Sequence, residues 1–397
     1  MKINKSWIKY FILFLFTIQP NIFTQYRFTV IIYAIANIGI FTVFTIKLKR
    51  KKYKISKLLF FWILYRIYIL IMMIINDNIK DIDQWGYLSL MVVNLIFIFE
   101  NSIKRKETYN MLSAGVWLCI IYLGINLYTL VTFPNGIIPS QDLYSNGDGD
   151  FYFLGIKIKY TVYIICAIAL AWTLYKKYEK KKTMICVLIL SILNIFVANI
   201  STAIVCLIFF ILIHYLEKRN VIKLNMKKIL IITIAINIAV IVFNAQTIFS
   251  GFIEKILHKN VTLTGRTYIW KSAIDILKSQ NIIKLIFGNG IFNNGNFVPF
   301  GEYYWAAHNQ WLQNIFELGI IGTVIFCYVI CYCDNLKKEK TELNKFMLCL
   351  CATVMFGTIT NQFFGNAPIY IPFIILNYMN VFEQKCVKGA LEENGEK

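Results

Sequence analysis

ISKLLFFWILYRIYILIMMIIN, residues 55–76, is the stretch on which the fold turns. It is apolar from Leu58 onward and interrupted by one charge, Arg66, near its middle. A helix needs about 20 residues to cross a hydrocarbon core ~30 Å thick, and this run supplies them. It has no alternation of apolar and polar residues, so the pattern of a membrane-spanning barrel strand is excluded. Within lipid the backbone must satisfy its own polar groups, so the run is expected to be a helix. Its flanks are unlike. KRKKYK precedes it at 49–54 and DNIKDID follows it at 77–83, basic on one side and acidic on the other.

The same pattern recurs outward in both directions. Hydrophobic residues make up 58% of the 397 and charged residues 16%, against about 25% charged in a water-soluble domain. Spans are expected at 8–24, 27–46, 55–76, 84–100, 111–133, 158–176, 183–199, 201–216, 227–245, 311–333, 346–363 and 367–383. The first resembles a signal peptide, but no small-residue cleavage site follows it, so it is read as a retained helix. With the N-terminus inside and the spans alternating, 30 of the 41 Lys and Arg residues fall in inner segments, as the positive-inside rule requires. The expectation is an all-α polytopic membrane protein of about 12 transmembrane helices, both termini cytoplasmic. It divides into helices 1–9 over residues 1–245, a large outer loop over 246–310, helices 10–12 over 311–384 and a tail over 385–397.

The formal charge of +20 does not indicate nucleic-acid binding, because the basic residues lie in short links between spans. The partners the composition implies are membrane lipids. The ten cysteines lie in apolar runs or inner links, so no disulfide framework is expected. Neither Cys331 and Cys333 nor any carboxylate cluster has the spacing of a metal site. Asn146-Gly147-Asp148-Gly149-Asp150 lacks the glycine and the final acid of a calcium loop and is read as a loop. No metal and no cofactor is expected.

The outer loop holds the candidate chemistry, since loops this long usually have a function or structure of their own. Thr264 to Lys278 reads as an amphipathic helix with Thr264 as its N-cap. Ile269, Ala273, Ile276 and Leu277 form an apolar face, with Lys271 and Asp275 spaced to pair. Arg266 in the first turn is unfavourable for the helix dipole, but a guanidinium beside a helix N-terminus suits a phosphate. Gly288-Asn289-Gly290 forms a turn after this helical region, and a Gly- and Asn-rich run follows. His308-Asn309-Gln310 then leads into the tenth span. There Gln310, Asn314 and Glu317 share a face, and a carboxylate at that depth calls for a polar cavity. His308 is a candidate general base or hydrogen-bond partner. Gly319 and Gly322 suit close helix packing.

Taken in order, these residues resemble the O-antigen ligase and repeat-unit polymerase superfamily of bacterial surface polysaccharide assembly. Its members have a Gly-Arg-x3-Trp helix start, matched by Gly265, Arg266 and Trp270. A Gly-x-Gly turn follows, matched by Gly288 and Gly290. A His-Asn pair then enters a helix with Glu-x-Gly-x-x-Gly, matched by His308, Asn309, Glu317, Gly319 and Gly322. Many relatives also open the span after the short outer turn with Ser-Arg. This chain has Ile200-Ser201-Thr202-Ala203 there, so a basic contact must come from elsewhere. Arg66 is one candidate, and Lys157 and Lys159 at the outer end of the sixth span could attract a lipid diphosphate.

The resemblance implies a GT-C-like glycosyltransferase at the outer face of the bacterial cytoplasmic membrane. Its substrate would be polyprenyl-diphosphate-linked oligosaccharide for capsule, exopolysaccharide or O-antigen, and its partners a flippase and a chain-length regulator. Arg266 and His308 would be catalytic. Arg66, Trp270, Asn309, Gln310 and Glu317 would bind substrate. The polymerase branch is favoured, with a ligase acting on another acceptor, a flippase or transporter, and a membrane scaffold as alternatives.

Overall fold

The computed structural model describes residues 4–51, 53–139, 149–255, 265–300, 303–334 and 341–383. The helices in chain order are α1 (Lys5–Thr17), α2 (Arg27–Lys49), α3 (Lys57–Ile75), α4 (Ile82–Lys104), α5 (Thr108–Thr132), α6 (Tyr160–Tyr178), α7 (Lys181–Val197) and α8 (Ser201–Lys218). They continue as α9 (Met226–Phe243), α10 (Ser250–Lys255), α11 (Arg266–Ser279), α12 (Ile282–Phe287), α13 (Gln310–Tyr332), α14 (Glu342–Gly357), α15 (Ile371–Asn377) and α16 (Met379–Glu383).

Eight helices are long and apolar enough to cross a membrane: α2, α3, α4, α5, α6, α8, α9 and α13. The protein is an all-α, multi-pass membrane protein. The other expected spans coincide with shorter helices. The first is cut at Thr17, because Pro20 lacks an N–H and disfavours helical backbone in the residue before it; a 3-10 turn at Asn21–Gln25 follows. The last is entered through a 3-10 turn at Ala367–Tyr370 and broken at Tyr378 between α15 and α16. The eleventh runs from Glu342 to Gly357 as α14, not to 363; residues 358–366 form a polar non-α connection.

Amide pairs tie the bundle together where hydrocarbon offers no other partner. Asn94 donates to Asn37 Oδ1 at 2.9 Å and Asn126 to Asn194 Oδ1 at 2.8 Å. The nine described cysteines are all free.

Helix α13 is where the two glycine motifs meet. It breaks at Gly319, whose φ of 65° and ψ of −173° lie outside any helical region. In an unbroken helix the carbonyls of Phe316 and Glu317 would accept from residues 320 and 321. Instead they accept from the Asn289 N–H at 3.0 Å and the Gly290 N–H at 2.7 Å. Backbone carbonyls at membrane depth must be satisfied by protein, and the loop satisfies them. The side chain of Asn289 also donates to Phe316 at 2.9 Å, and Asn78, beyond the end of α3, donates to the Asn289 carbonyl at 2.7 Å. Tyr68 Oη lies 2.6 Å from the Phe287 carbonyl and 3.0 Å from that of Leu318. A Cβ on Gly322 would lie 2.4 Å from the Tyr68 ring, so this glycine serves close packing as expected.

The segment between α9 and α13 has a small core of its own. Ile269, Trp270, Ala273 and Leu277 of α11 pack on Phe297, Val298, Ala307, Leu312 and Phe316. Strands β1 (Val298–Phe300) and β2 (Tyr303–Trp305) form an antiparallel hairpin beneath α11, the one β element of the described residues and one that periodicity had not indicated.

Candidate functional site

Arg266, His308 and Lys159 lie close enough that the two cations act on the imidazole. Burial first, then the charges of Arg266 and Lys159, push His308 down to about 4, so its ring is neutral at neutral pH. Three separate elements assemble this group. Arg266 opens α11, His308 precedes α13, and Lys159 closes a 3-10 turn immediately before α6.

Amide side chains hold the cations. Arg266 Nη2 donates to Asn361 Oδ1 at 3.5 Å, and Lys159 Nζ to Asn366 Oδ1 at 3.2 Å. Both asparagines belong to the polar connection after α14. A neutral amide orients a cation by accepting from it without carrying an opposing charge itself, and burial lowers the Lys159 ammonium from its usual range. The backbone of His308 is left-handed, with φ of 48°, and its ring lies 5.9 Å from that of Trp305. Such a conformation in a non-glycine residue costs of order 1–3 kcal/mol and persists only when its surroundings enforce it.

Those surroundings are visible. Asn309 caps α13: its Oδ1 accepts from the N–H of Trp311 at 2.9 Å and of Leu312 at 3.0 Å. Its amide nitrogen donates to Asn237 Oδ1 at 2.7 Å and to the Ile359 carbonyl at 2.8 Å. On the other side of His308, the Ala307 N–H donates to Gln313 Oε1 at 3.1 Å.

The expected site residues therefore separate into groups. Arg266 and His308 come together. Asn309 and Gln310 are buried and occupied: Gln310 donates to Asn314 Oδ1 at 2.9 Å and accepts from the Phe364 N–H at 3.1 Å. Trp270 is 2% exposed in the small outer core. Glu317 is half-buried and accepts from Gln313 at 2.6 Å. Arg66 is 5% exposed and bound within its own helix pair, donating to Ser89 Oγ at 2.7 Å and to the Trp85 carbonyl at 2.9 Å. The cation beside Arg266 and His308 is Lys159 rather than Arg66.

Three further expectations can be placed. Thr264, the anticipated cap of α11, and Asn146 to Asp148 lie outside the described residues. The N-cap position of α11 is Gly265, with φ of 83°. Lys271 and Asp275 are exposed, with no ion pair between them.

Asn361, Gln362, Asn366 and Gln313 were not singled out from the sequence. The polar run Thr358 to Gln362 at the end of an apolar segment was the available signal.

Residues 183–327 match a family model described as O-antigen ligase. Over these residues the chain is similar to O-antigen ligase. No curated protein and no solved structure matches the chain. The matched segment contains Arg266, His308 and the Gly288–Gly319 clamp, whereas Lys159, in the turn before α6, and Asn361 and Asn366, in the connection after α14, lie outside it.

Proposed function

We propose that the protein is a polysaccharide repeat-unit polymerase working at the outer face of the bacterial cytoplasmic membrane, with both termini inside. The growing chain on a polyprenyl diphosphate is the donor, and a sugar hydroxyl of a new lipid-linked unit is the acceptor. The hydroxyl oxygen bonds to the donor's anomeric carbon as that carbon's bond to the diphosphate breaks, and the diphosphate leaves with the electron pair. One observation supports this above all: Arg266 and Lys159, each donating to an asparagine of the connection after α14, lie within electrostatic range of a neutral His308.

Each member has a part. Arg266 and Lys159 stabilise the charge that develops on the leaving diphosphate. His308 accepts the hydroxyl's proton. Its ring is a weak base while two cations face it, and a bound diphosphate offsets their charge and raises its basicity. A flippase would deliver the lipid-linked unit, and a chain-length regulator would set product size.

The family description favours one second reading, transfer of finished polymer to a different acceptor, with the same donor chemistry. A transporter reading is weaker, because the buried charge it would use, Arg66, is engaged with Ser89 and the Trp85 carbonyl.

The deciding experiment reconstitutes the full chain in vesicles with purified lipid-linked repeat units. Lengthened lipid-linked product is expected. Arg266→Ala should lower its rate about 100- to 1,000-fold, as loss of a donor to a developing oxyanion does, while the protein stays in the membrane. An unchanged product ladder in that variant refutes the assignment.

A further inference from the structure

Gln313 spends every hydrogen-bonding position of its side-chain amide on four different segments. Its nitrogen donates to the Gly295 carbonyl at 2.8 Å and to Glu317 Oε1 at 2.6 Å. Its oxygen accepts from the Ala307 N–H at 3.1 Å and from Gln362 Nε2 at 2.6 Å. The residue is 3% exposed, so none of these bonds is exchanged with water. Ala307 is the residue before His308, and Gln362 the residue after Asn361, the partner of Arg266. One buried amide thus ties the strand bearing the imidazole to the connection bearing the guanidinium's partner. None of these four bonds goes to Arg266 or His308 themselves.

We infer that Gln313 is a positioning residue that sets the spacing between the anion-binding side of the site and His308. Side-chain networks that are fully satisfied and buried fix one geometry, and losing one member leaves the others unpaired. A small displacement between reacting groups is enough to lower a rate by about 100-fold. The effect on turnover rests on the transferase reading above; the effect on His308 does not.

The test uses both. The sequence holds three histidines, His214, His258 and His308, so isotope-labelled full-length protein in lipid nanodiscs gives few imidazole signals. His308→Gln identifies the one that belongs to His308. Gln313→Met removes all four bonds at similar volume and should move or broaden the His308 signal, leaving that of His214, which stacks on Phe210, in place. In the transfer assay, kcat should fall at least tenfold with KM for the lipid-linked donor within threefold, because Arg266 and Lys159 remain. Gln313→Glu sets two carboxylates against each other, and adding Glu317→Gln restores a donor between them. The double variant should therefore recover activity and the His308 signal relative to Gln313→Glu alone, which a loss of folding would not permit. A His308 signal unmoved in Gln313→Met, or a double variant no better than the single one, overturns the inference. A wild-type protein without transfer activity overturns the proposed function instead, and the histidine signals then decide the positioning role alone.

Discussion

Substituting Gly319 by alanine tests the clamp on which the outer site stands. A Cβ there would lie 2.4 Å from the Gly288 nitrogen and 2.4 Å from the Ile286 carbonyl oxygen, both backbone atoms. Ordinary contact would require each pair to separate by about 1 Å, against backbone bonds that hold the segment in place, from the Gly288 N–H to the Lys284 carbonyl at 2.8 Å and from the Gly290 N–H to the Glu317 carbonyl at 2.7 Å. Two costs follow. Backbone at φ of 65° and ψ of −173° is strained for any residue with a Cβ, by about 1–3 kcal/mol. Overpacking a tight contact adds about 1–3 kcal/mol. The total, about 2–6 kcal/mol, comes before any loss of the bonds from Asn289 and Gly290 to the Phe316 and Glu317 carbonyls. The assay is thermal unfolding of purified protein in detergent, beside Gly39→Ala as a control. Gly39 lies within α2 with nothing within 4 Å of a built Cβ, so that change should be neutral or stabilising by up to about 1 kcal/mol. Gly319→Ala should melt well below the wild type and Gly39→Ala at or above it. A Gly319→Ala protein that melts with the wild type refutes the clamp.

His308 gives a pH dependence of known sign. Its folded value of about 4 lies below the usual value of about 6.5, so the unfolded chain binds the extra proton between them. Stability should fall as pH drops from about 6.5 towards 4, and His308→Gln should flatten that part of the profile of melting temperature against pH. Asn309→Ala removes the cap of α13 and two further bonds; the cap alone is worth about 1 kcal/mol, so the variant should melt early and accumulate poorly in membranes. Arg66→Met removes the donor to Ser89 Oγ and one of the donors to the Trp85 carbonyl, which keeps the Ser89 hydroxyl, and should lower melting temperature while KM for the lipid-linked donor stays near that of the wild type; a selective rise in KM would return Arg66 to the substrate site.

The division between legible and hidden follows interaction range. Residues 55–76 announce α3 because hydrophobic length and flanking charge are local properties, and the same holds for the other long spans. Arg266 and His308 could be singled out because each stands beside a helix start, a feature written within a few neighbouring residues. Glycines 288, 290, 319 and 322 were recognisable as a set, but that two of their motifs clasp each other across a broken helix depends on backbone atoms some thirty residues apart in the chain.

By itself, then, the sequence determined an all-α membrane protein, the sites of its long apolar helices and the outer segment where polar chemistry concentrates. Tertiary structure alone decided which cation joins Arg266 and His308. On paper Arg66 is the candidate contact and Lys159 a lysine at a span end that could attract a lipid diphosphate; packing brings Lys159 within electrostatic range of the imidazole while Ser89 and Trp85 occupy Arg66. It also supplied the partners of Asn309, Gln310 and Trp270, expected from the chain to bind substrate: a helix cap, a bond to the Phe364 N–H and a small apolar core. The physical reason is that a polar side chain's partner, unlike an apolar side chain's preference for lipid, is fixed by directional bonds to groups that only folding brings near.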